Sequence, residues 1–248
     1  MDYTITTYII YVIFGLLPSL AWLFYYLRKD LHPEPKRMIV KIFLWGAVVT
    51  LPVFFIQIGL NKLLELANFG LLAKNIIYWF LIIALSEEFF KYLIIKFKVL
   101  NSPDLDEPLD IMLYMVVAAL GFAAVENILV LFSESSFFMR IIVFRFLGAV
   151  LLHTLSSGTL GYFLALSFFE SKKRLKLLVL GFGLAVILHG FFNYSIMKIN
   201  DAIVSGEGNL VLFWFRILVI FLIGLAVLIF LGFRKLKKIK SVCEIKIK

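Results

Sequence analysis

The chain alternates long apolar stretches with short polar ones. Seven apolar stretches have about 20 residues or more, the length an α-helix needs to cross about 30 Å of hydrocarbon. They cover approximately residues 4–27, 38–60, 76–95, 111–132, 141–169, 177–198 and 209–233. The pattern predicts an all-α polytopic membrane protein with about seven transmembrane helices, whose two ends lie on opposite sides of the membrane.

Lys and Arg residues concentrate in alternate loops. Eighteen, with Lys41 counted in its adjoining loop, lie in the loops after the first, third and fifth stretches and in the tail from residue 234, whereas the other side has only Lys62, Lys74, Arg140 and Lys198. Because basic loops remain cytoplasmic, this predicts an external N-terminus and a basic cytoplasmic tail over residues 234–248. The acidic run 104–110 is expected to be a solvated loop.

The composition excludes a water-soluble protein. Of the 248 residues, 62% are hydrophobic and 17% are charged, whereas soluble domains have about 45–50% and about 25%. Soluble enzymes and disordered regulators are therefore excluded, and the single cysteine, Cys243, allows no internal disulfide. The net charge of +9 is explained by topology and attraction to anionic lipid, without nucleic acid. The short loops predict one helical membrane domain over residues 1–248.

The third stretch carries ionisable side chains, which cost about 2.5–3.5 kcal/mol each at mid-bilayer and therefore indicate function. Glu87 and Glu88 are adjacent, and Lys91 follows at helical spacings of four and three. Lys91 is expected to hold one carboxylate while the other projects elsewhere. Arg145, near the outer end of the fifth stretch, is expected to extend toward the interface.

Three further stretches carry polar residues. The fourth has Glu126 and Asn127 after Gly121, where Glu126 could support a site or serve only helix packing. The fifth has His153 with Ser156 and Ser157 one turn later, and the sixth has His189 with Asn193 one turn later. At about 1.5 Å per residue, Glu87, His153 and His189 reach one layer near the middle or outer half of the bilayer.

A carboxylate, two imidazoles and an amide around a wet cavity can activate water and stabilise an oxyanion, as peptide-bond hydrolysis requires. Other protease chemistries lack their residues. The zinc motif H-E-x-x-H is absent, no pair of intramembrane Asp residues occurs, and Leu155 stands where a G-x-S-G serine site needs glycine. A glutamate-activated water remains, or a metal held by Glu87, His153 and His189.

The motifs together resemble the PrsW family of intramembrane proteases over residues of about 16–200. The resemblance rests on Glu87-Glu88-x-x-Lys91, Gly121 through Glu126-Asn127, the His153 helix, His189-x-x-x-Asn193 and Asp30-x-His32-Pro33-Glu34-Pro35. That family is similar to the type II CAAX prenyl endopeptidases and to the multi-pass scaffold subunit of gamma-secretase. The resemblance to the PrsW family implies a multi-pass cell-membrane enzyme that cleaves a single-pass membrane protein, such as an anti-sigma factor in bacterial stress signalling.

The resemblance to the CAAX enzymes also implies roles for individual residues. Glu87 would be the general base on water, helped by His153, while His189 and Asn193 would hold the oxyanion. Glu88 with Lys91 would orient the site, supported by Glu126 and Asn127. This interpretation needs no cofactor, and a divalent metal such as zinc is its alternative. The CAAX enzymes have Arg one position after Lys91, which argues against a prenyl-cysteine substrate.

A second hypothesis is a non-catalytic membrane scaffold, whose polar layer would bind a partner helix. It predicts that substitutions in this layer weaken association and that no hydrolysis product forms. Retention of every plausible catalytic group favours the enzyme. An ion-coupled transporter is less favoured, because the sequence has no inverted repeat.

Overall fold

The computed structural model describes residues 5–28, 33–133, 144–169 and 171–239, and these form helices without any β-strand. The helical elements are α1 (Ile5–Leu27), α2 (Lys36–Leu66), α3 (Leu71–Ile76), a π-helical stretch π1 (Ile77–Ala84), α4 (Leu85–Lys98), α5 (Pro108–Ser133), a second π-helical stretch π2 (Arg145–Ala149), α6 (Val150–Phe169), a 3-10 turn (Ser171–Lys173), α7 (Arg174–Val204) and α8 (Gly208–Leu236). Predictions that concern Asp30, His32, Arg140, Cys243 and the tail beyond residue 239 fall outside the described residues.

Among the described residues, six helices are long and apolar enough to cross a membrane: α1, α2, α5, π2 with α6, α7 and α8. The remaining predicted span, the third, lies in residues 71–98, where α3, π1 and α4 follow one another without a break in helical structure. The prediction of an all-α polytopic protein with about seven helices is therefore confirmed. The orientation across the membrane stays a prediction.

Helix α5 forms the centre of the bundle. Every residue from Pro108 to Ala124 is buried, which is typical of a helix that is apolar on all sides. It packs against α1, α2 and α6. The outer faces of α2 and α8 instead expose large apolar side chains, among them Phe55, Leu63 and Ile220. Because hydrocarbon solvates these side chains as well as a protein core does, this distribution fits a membrane protein.

Glycines let α2 and α5 approach closely. A Cβ atom added to Gly121 would overlap the carbonyl oxygen of Phe43, and one added to Gly46 would overlap the carbonyl oxygen of Ala118. Small residues at such crossings let helix backbones come into van der Waals contact, a main source of attraction between helices in lipid. This contact fixes α5 about one and a half turns before Glu126 and Asn127.

Two buried acids, Glu34 and Asp110, lie near the first turns of α5. Glu34 connects α5 to the segment before α2. The Tyr114 hydroxyl donates to Glu34 Oε2 at 2.5 Å, and both side chains are buried. Asp110 Oδ2 accepts the backbone N–H of Glu107 at 2.7 Å and that of Asp106 at 3.1 Å. The expectation of a solvated acidic loop was thus wrong for Asp110, because its carboxylate, in the first turn of α5, accepts the backbone N–H groups just before the helix, as in a capping box.

Tyr114→Phe is expected to lower the free energy of unfolding by about 1–3 kcal/mol, because it leaves the buried Glu34 carboxyl without this donor. Thermal unfolding of the purified protein in detergent measures the effect. Tyr162→Phe is the control, since the Tyr162 hydroxyl bonds to none of the described residues. Equal midpoints for the two variants would show that the Tyr114 contact contributes nothing.

Candidate active site

Glu87, Glu88 and Lys91 lie together at the start of α4 and are buried. Lys91 Nζ lies 3.0 Å from Glu88 Oε1 and 3.4 Å from Glu87 Oε2. Lys91 thus contacts both carboxylates, whereas the spacing alone predicted contact with one. Its side chain is completely inaccessible to solvent, and Nζ lies 4.5 Å from the centre of the Phe122 ring.

Glu88 has more close hydrogen-bonding partners than Glu87. Its Oε1 atom lies 2.9 Å from His189 Nδ1 and accepts from Ser156 Oγ at 3.2 Å. Its Oε2 atom accepts from Ser157 Oγ at 2.6 Å. Together with Lys91, these contacts occupy both oxygens and fix the carboxylate between α4, α6 and α7.

Glu87 is held more loosely. Its Oε1 atom accepts from Gln57 Nε2, on α2, at 3.3 Å. Besides the 3.4 Å contact to Lys91, its Oε2 atom lies 3.8 Å from His153 Nδ1 and 3.7 Å from His189 Nε2. Glu87, His153 and His189 therefore lie together, with one nitrogen of each imidazole within 3.8 Å of the same carboxylate oxygen.

Hydrogen bonds define which ring nitrogens carry protons in the neutral imidazoles. Lys91 can only donate, so His153 Nδ1, 3.1 Å from Nζ, is an acceptor, and His153 Nε2–H donates to Glu126 Oε2 at 2.7 Å. The Glu88 carboxylate can only accept, so His189 Nδ1–H donates to it. His153 Nδ1 and His189 Nε2 are therefore the unprotonated nitrogens, and they lie 3.8 and 3.7 Å from Glu87 Oε2.

Arg145 belongs to this cluster. Its NH2 atom lies 3.0 Å from Glu126 Oε2, and its Nε–H donates to Asn127 Oδ1. Asn127 in turn donates from Nδ2 to the Gly15 carbonyl at 3.2 Å, which connects α5 to α1. The expectation that Arg145 extends to the interface was wrong, because the Glu126 carboxylate offers its guanidinium a partner within the protein.

Two site residues differ from the sequence expectation. Gln57, which the sequence analysis missed, supplies an amide to Glu87; its only signal was a polar side chain within the apolar second stretch. Asn193 lies one turn after His189, is partly exposed and forms no hydrogen bond with any described residue. Its role as an oxyanion donor stays a prediction.

Comparison with known proteins identifies the family. The profile of the PrsW family intramembrane metalloproteases matches residues 34–228. The chain belongs to the PrsW family. "Protease PrsW" of Oceanobacillus iheyensis is 32% identical over 203 residues, which cover 81% of this chain and 89% of the relative. "Protease PrsW" of Geobacillus kaustophilus is 33% identical over 184 residues (74% and 78%), and that of Bacillus subtilis is 29% identical over 230 residues (92% and 94%). No solved structure matches significantly.

Membership in the PrsW family makes the chain an intramembrane protease of the cell membrane, in agreement with its apolar helices. The family description specifies a metalloprotease, so the site needs side chains that can bind a metal ion. Glu87, His153 and His189 are all buried, and each offers a ligand atom within 4.8 Å of the other two. Tetrahedral zinc, with bonds of about 2.0–2.2 Å, holds its ligand atoms about 3.4 Å apart.

The residues fit such a metal in chemistry as well as in spacing. The measured separations of 3.7 and 3.8 Å from Glu87 Oε2 need to shorten by only a few tenths of an ångström. Each imidazole is also held through its other nitrogen by a carboxylate, Glu88 for His189 and Glu126 for His153. Metal-binding histidines are typically oriented in this way.

Glu126→Leu is expected to lower kcat by about 10-fold to 100-fold with little change in KM, because His153 loses the acceptor that fixes its tautomer. Glu126→Gln keeps an oxygen that can accept the Nε2–H, and it should recover much of the lost rate. Steady-state cleavage of a membrane substrate by both variants measures the difference. Equal rates for the Leu and Gln variants would contradict this positioning role.

Proposed function

We propose that this chain hydrolyses a peptide bond of a single-pass membrane protein, with water activated at Glu87 between His153 and His189. The observation that carries the proposal is that the unprotonated nitrogens of two imidazoles lie 3.7 and 3.8 Å from Glu87 Oε2. An anti-sigma factor cleaved at site one is the kind of substrate that the family resemblance implies.

The difference between the two acids supports Glu87 as the base. Glu88 accepts hydrogen bonds through both oxygens, two of them from serine hydroxyls, and these stabilise its charged form. Such a carboxylate is suited to orient His189 but has little capacity left for water. Glu87 keeps an oxygen with only long contacts, so it can take a proton from water and return it to the leaving amine.

The imidazoles and the buried lysine provide the remaining functions. His189 Nε2 can accept a hydrogen bond from water and keep it beside Glu87 Oε2, whereas the single lone pair of His153 Nδ1 already accepts from Lys91. After protonation, His189 Nε2 can donate to the oxyanion that forms on the scissile carbonyl. Asn193 would add an amide donor from the next turn of α7, and Lys91 offsets one of the two negative charges of the carboxylates.

The same three side chains, Glu87, His153 and His189, would hold a divalent metal. When bound, such a metal supplies Lewis acidity, which polarises a carbonyl oxygen and makes water a stronger acid. Glu87 would then be a ligand rather than the base. Removal of metal by a chelator distinguishes these two uses of the same residue.

The pattern of exposure supports a substrate that reaches the site from within the membrane portion. The side chains of Glu88 and Glu87 are 0% and 6% exposed, whereas that of Glu126 is 32% exposed. The cluster is therefore open to its surroundings on the Glu126 side. A substrate helix must unwind locally to present its peptide bond, because backbone groups in lipid are otherwise bonded within the helix.

The test is incubation of the purified protein in lipid vesicles with a panel of single-pass membrane proteins, followed by mass spectrometry of fragments. Each substrate is tested with wild type, with an inactive Glu87 variant, and with or without a chelator. Fragments that require Glu87 support the proposal, and chelator sensitivity assigns the metal form. Intact substrates that nevertheless co-purify with the protein would contradict it and favour the scaffold hypothesis.

A further inference from the structure

At the centre of the polar cluster, three acceptor atoms surround one cation. Glu87 Oε2, Glu88 Oε1 and His153 Nδ1 lie 3.4, 3.0 and 3.1 Å from Lys91 Nζ. The ammonium group has three protons to donate, which matches these three acceptors. Lys91 thus occupies the position of a bound cation, although it is part of the chain.

Two of these acceptors are also candidate metal ligands. A neutral imidazole nitrogen has a single lone pair, so His153 Nδ1 cannot accept from Lys91 and bind a metal at the same time. A metal on that lone pair would lie about 2.0–2.1 Å from the nitrogen. Since Nζ lies in the same direction at 3.1 Å, the two cations would be far too close.

We propose that Lys91 competes with a divalent metal for the ligand set Glu87, His153 and His189. Metal binding requires the Lys91 side chain to leave His153 Nδ1, and Lys91 thereby sets the metal affinity of the site. This inference rests on the ligand set named under the proposed function. It is tested by metal binding alone, so an absence of proteolysis leaves it standing.

The geometry also indicates what displaced Lys91 would contact. Glu88 keeps its contacts to His189, Ser156 and Ser157 without the ammonium group, and it can retain Lys91 through Oε1 at 3.0 Å. Glu87 and His153 would then be released to the metal. The adjacent pair Glu87-Glu88 therefore divides into one carboxylate for the metal and one for the lysine.

The decisive variant is Lys91→Gln, which removes the charge and keeps an amide that can donate to Glu88. Wild type and variant are stripped with a chelator in detergent, and Zn²⁺ affinity and stoichiometry are measured against a chromophoric competitor. Lys91→Gln is expected to bind one Zn²⁺ at least about tenfold more tightly than wild type, because the competing cation is gone. Adding His189→Ala to this variant should remove the gain.

Lys74→Gln is the matched control, since Lys74 lies in the same helical segment and pairs with the exposed Glu65 carboxylate at 3.3 Å. It should bind zinc as wild type does. Lys91→Met serves as a second variant without any donor. If either Lys91 variant folds only with zinc, that supports the proposal, because zinc then supplies the missing positive charge. Equal or weaker zinc affinity in the Lys91 variants, or misfolding that zinc does not correct, would overturn it.

Discussion

Glu87→Gln is expected to slow peptide-bond cleavage by about 100-fold to 10,000-fold while the fold is retained. Glutamine has nearly the same shape and keeps an oxygen for the hydrogen bond from Gln57 Nε2, which is 3.3 Å long in the native protein. Its neutral amide can neither take a proton from water nor bind a metal as a carboxylate does. Both forms of the mechanism therefore lose their central group.

The rate of fragment formation from a membrane substrate in vesicles measures this effect, and the unfolding midpoint monitors the fold. Glu65→Gln is the control, because that side chain is 65% exposed and its ion pair with Lys74 contributes only about 0–1 kcal/mol. It should cleave at the wild-type rate. A Glu87→Gln protein that keeps most of the wild-type rate would exclude Glu87 as both base and metal ligand.

Gly121→Leu is expected to lower the free energy of unfolding by about 3 kcal/mol or more, and with it the yield of folded protein. A Cβ atom at this position would overlap the Phe43 carbonyl oxygen and lie 2.8 Å from its carbon. Both obstructing atoms belong to the backbone, so no change of rotamer can relieve the overlap. Helices α2 and α5 would have to separate, which would displace Glu126 and Gln57 from the cluster.

Gly59→Leu and Gly183→Leu are the matched controls, since an added Cβ atom would meet nothing within 4 Å at either position. Both should retain the wild-type stability in a denaturant titration in detergent. The contrast separates the effect of the α2–α5 contact from that of a large side chain on a membrane helix. A Gly121→Leu protein as stable as these two would show that the crossing is adjustable.

Much of the site could be predicted from the sequence because charge in hydrocarbon is costly. Glu87, Glu88, Lys91, His153 and His189 stand out against apolar neighbours, and helical spacing brings Lys91 to the acids. The lengths of the apolar stretches likewise led to the number of helices. These signals are local along the chain, so no knowledge of helix packing was needed.

Contacts between helices could not be predicted in this way. Arg145 lies near a helix end, where extension to the interface is ordinarily favourable, and only the position of α5 reveals Glu126 as its partner. Gln57 is a single amide whose importance depends on α4 lying beside α2. The capping role of Asp110 was missed because the acidic residues before it suggested a loop.

The two π-helical stretches affect how each half of the helices that carry the site is rotated about the helix axis. Both lie directly before site residues: π1 ends at Ala84, before Glu87, and π2 ends at Ala149, before His153. In a continuous α-helix each residue is rotated by about 100° from the last, so the faces of both halves are locked in phase. The wider π turns break this phase relation. The half of each helix before the π turns can therefore present a different stripe to lipid from the one that a continuous α-helix would set, while the half after them carries the acids and the imidazole.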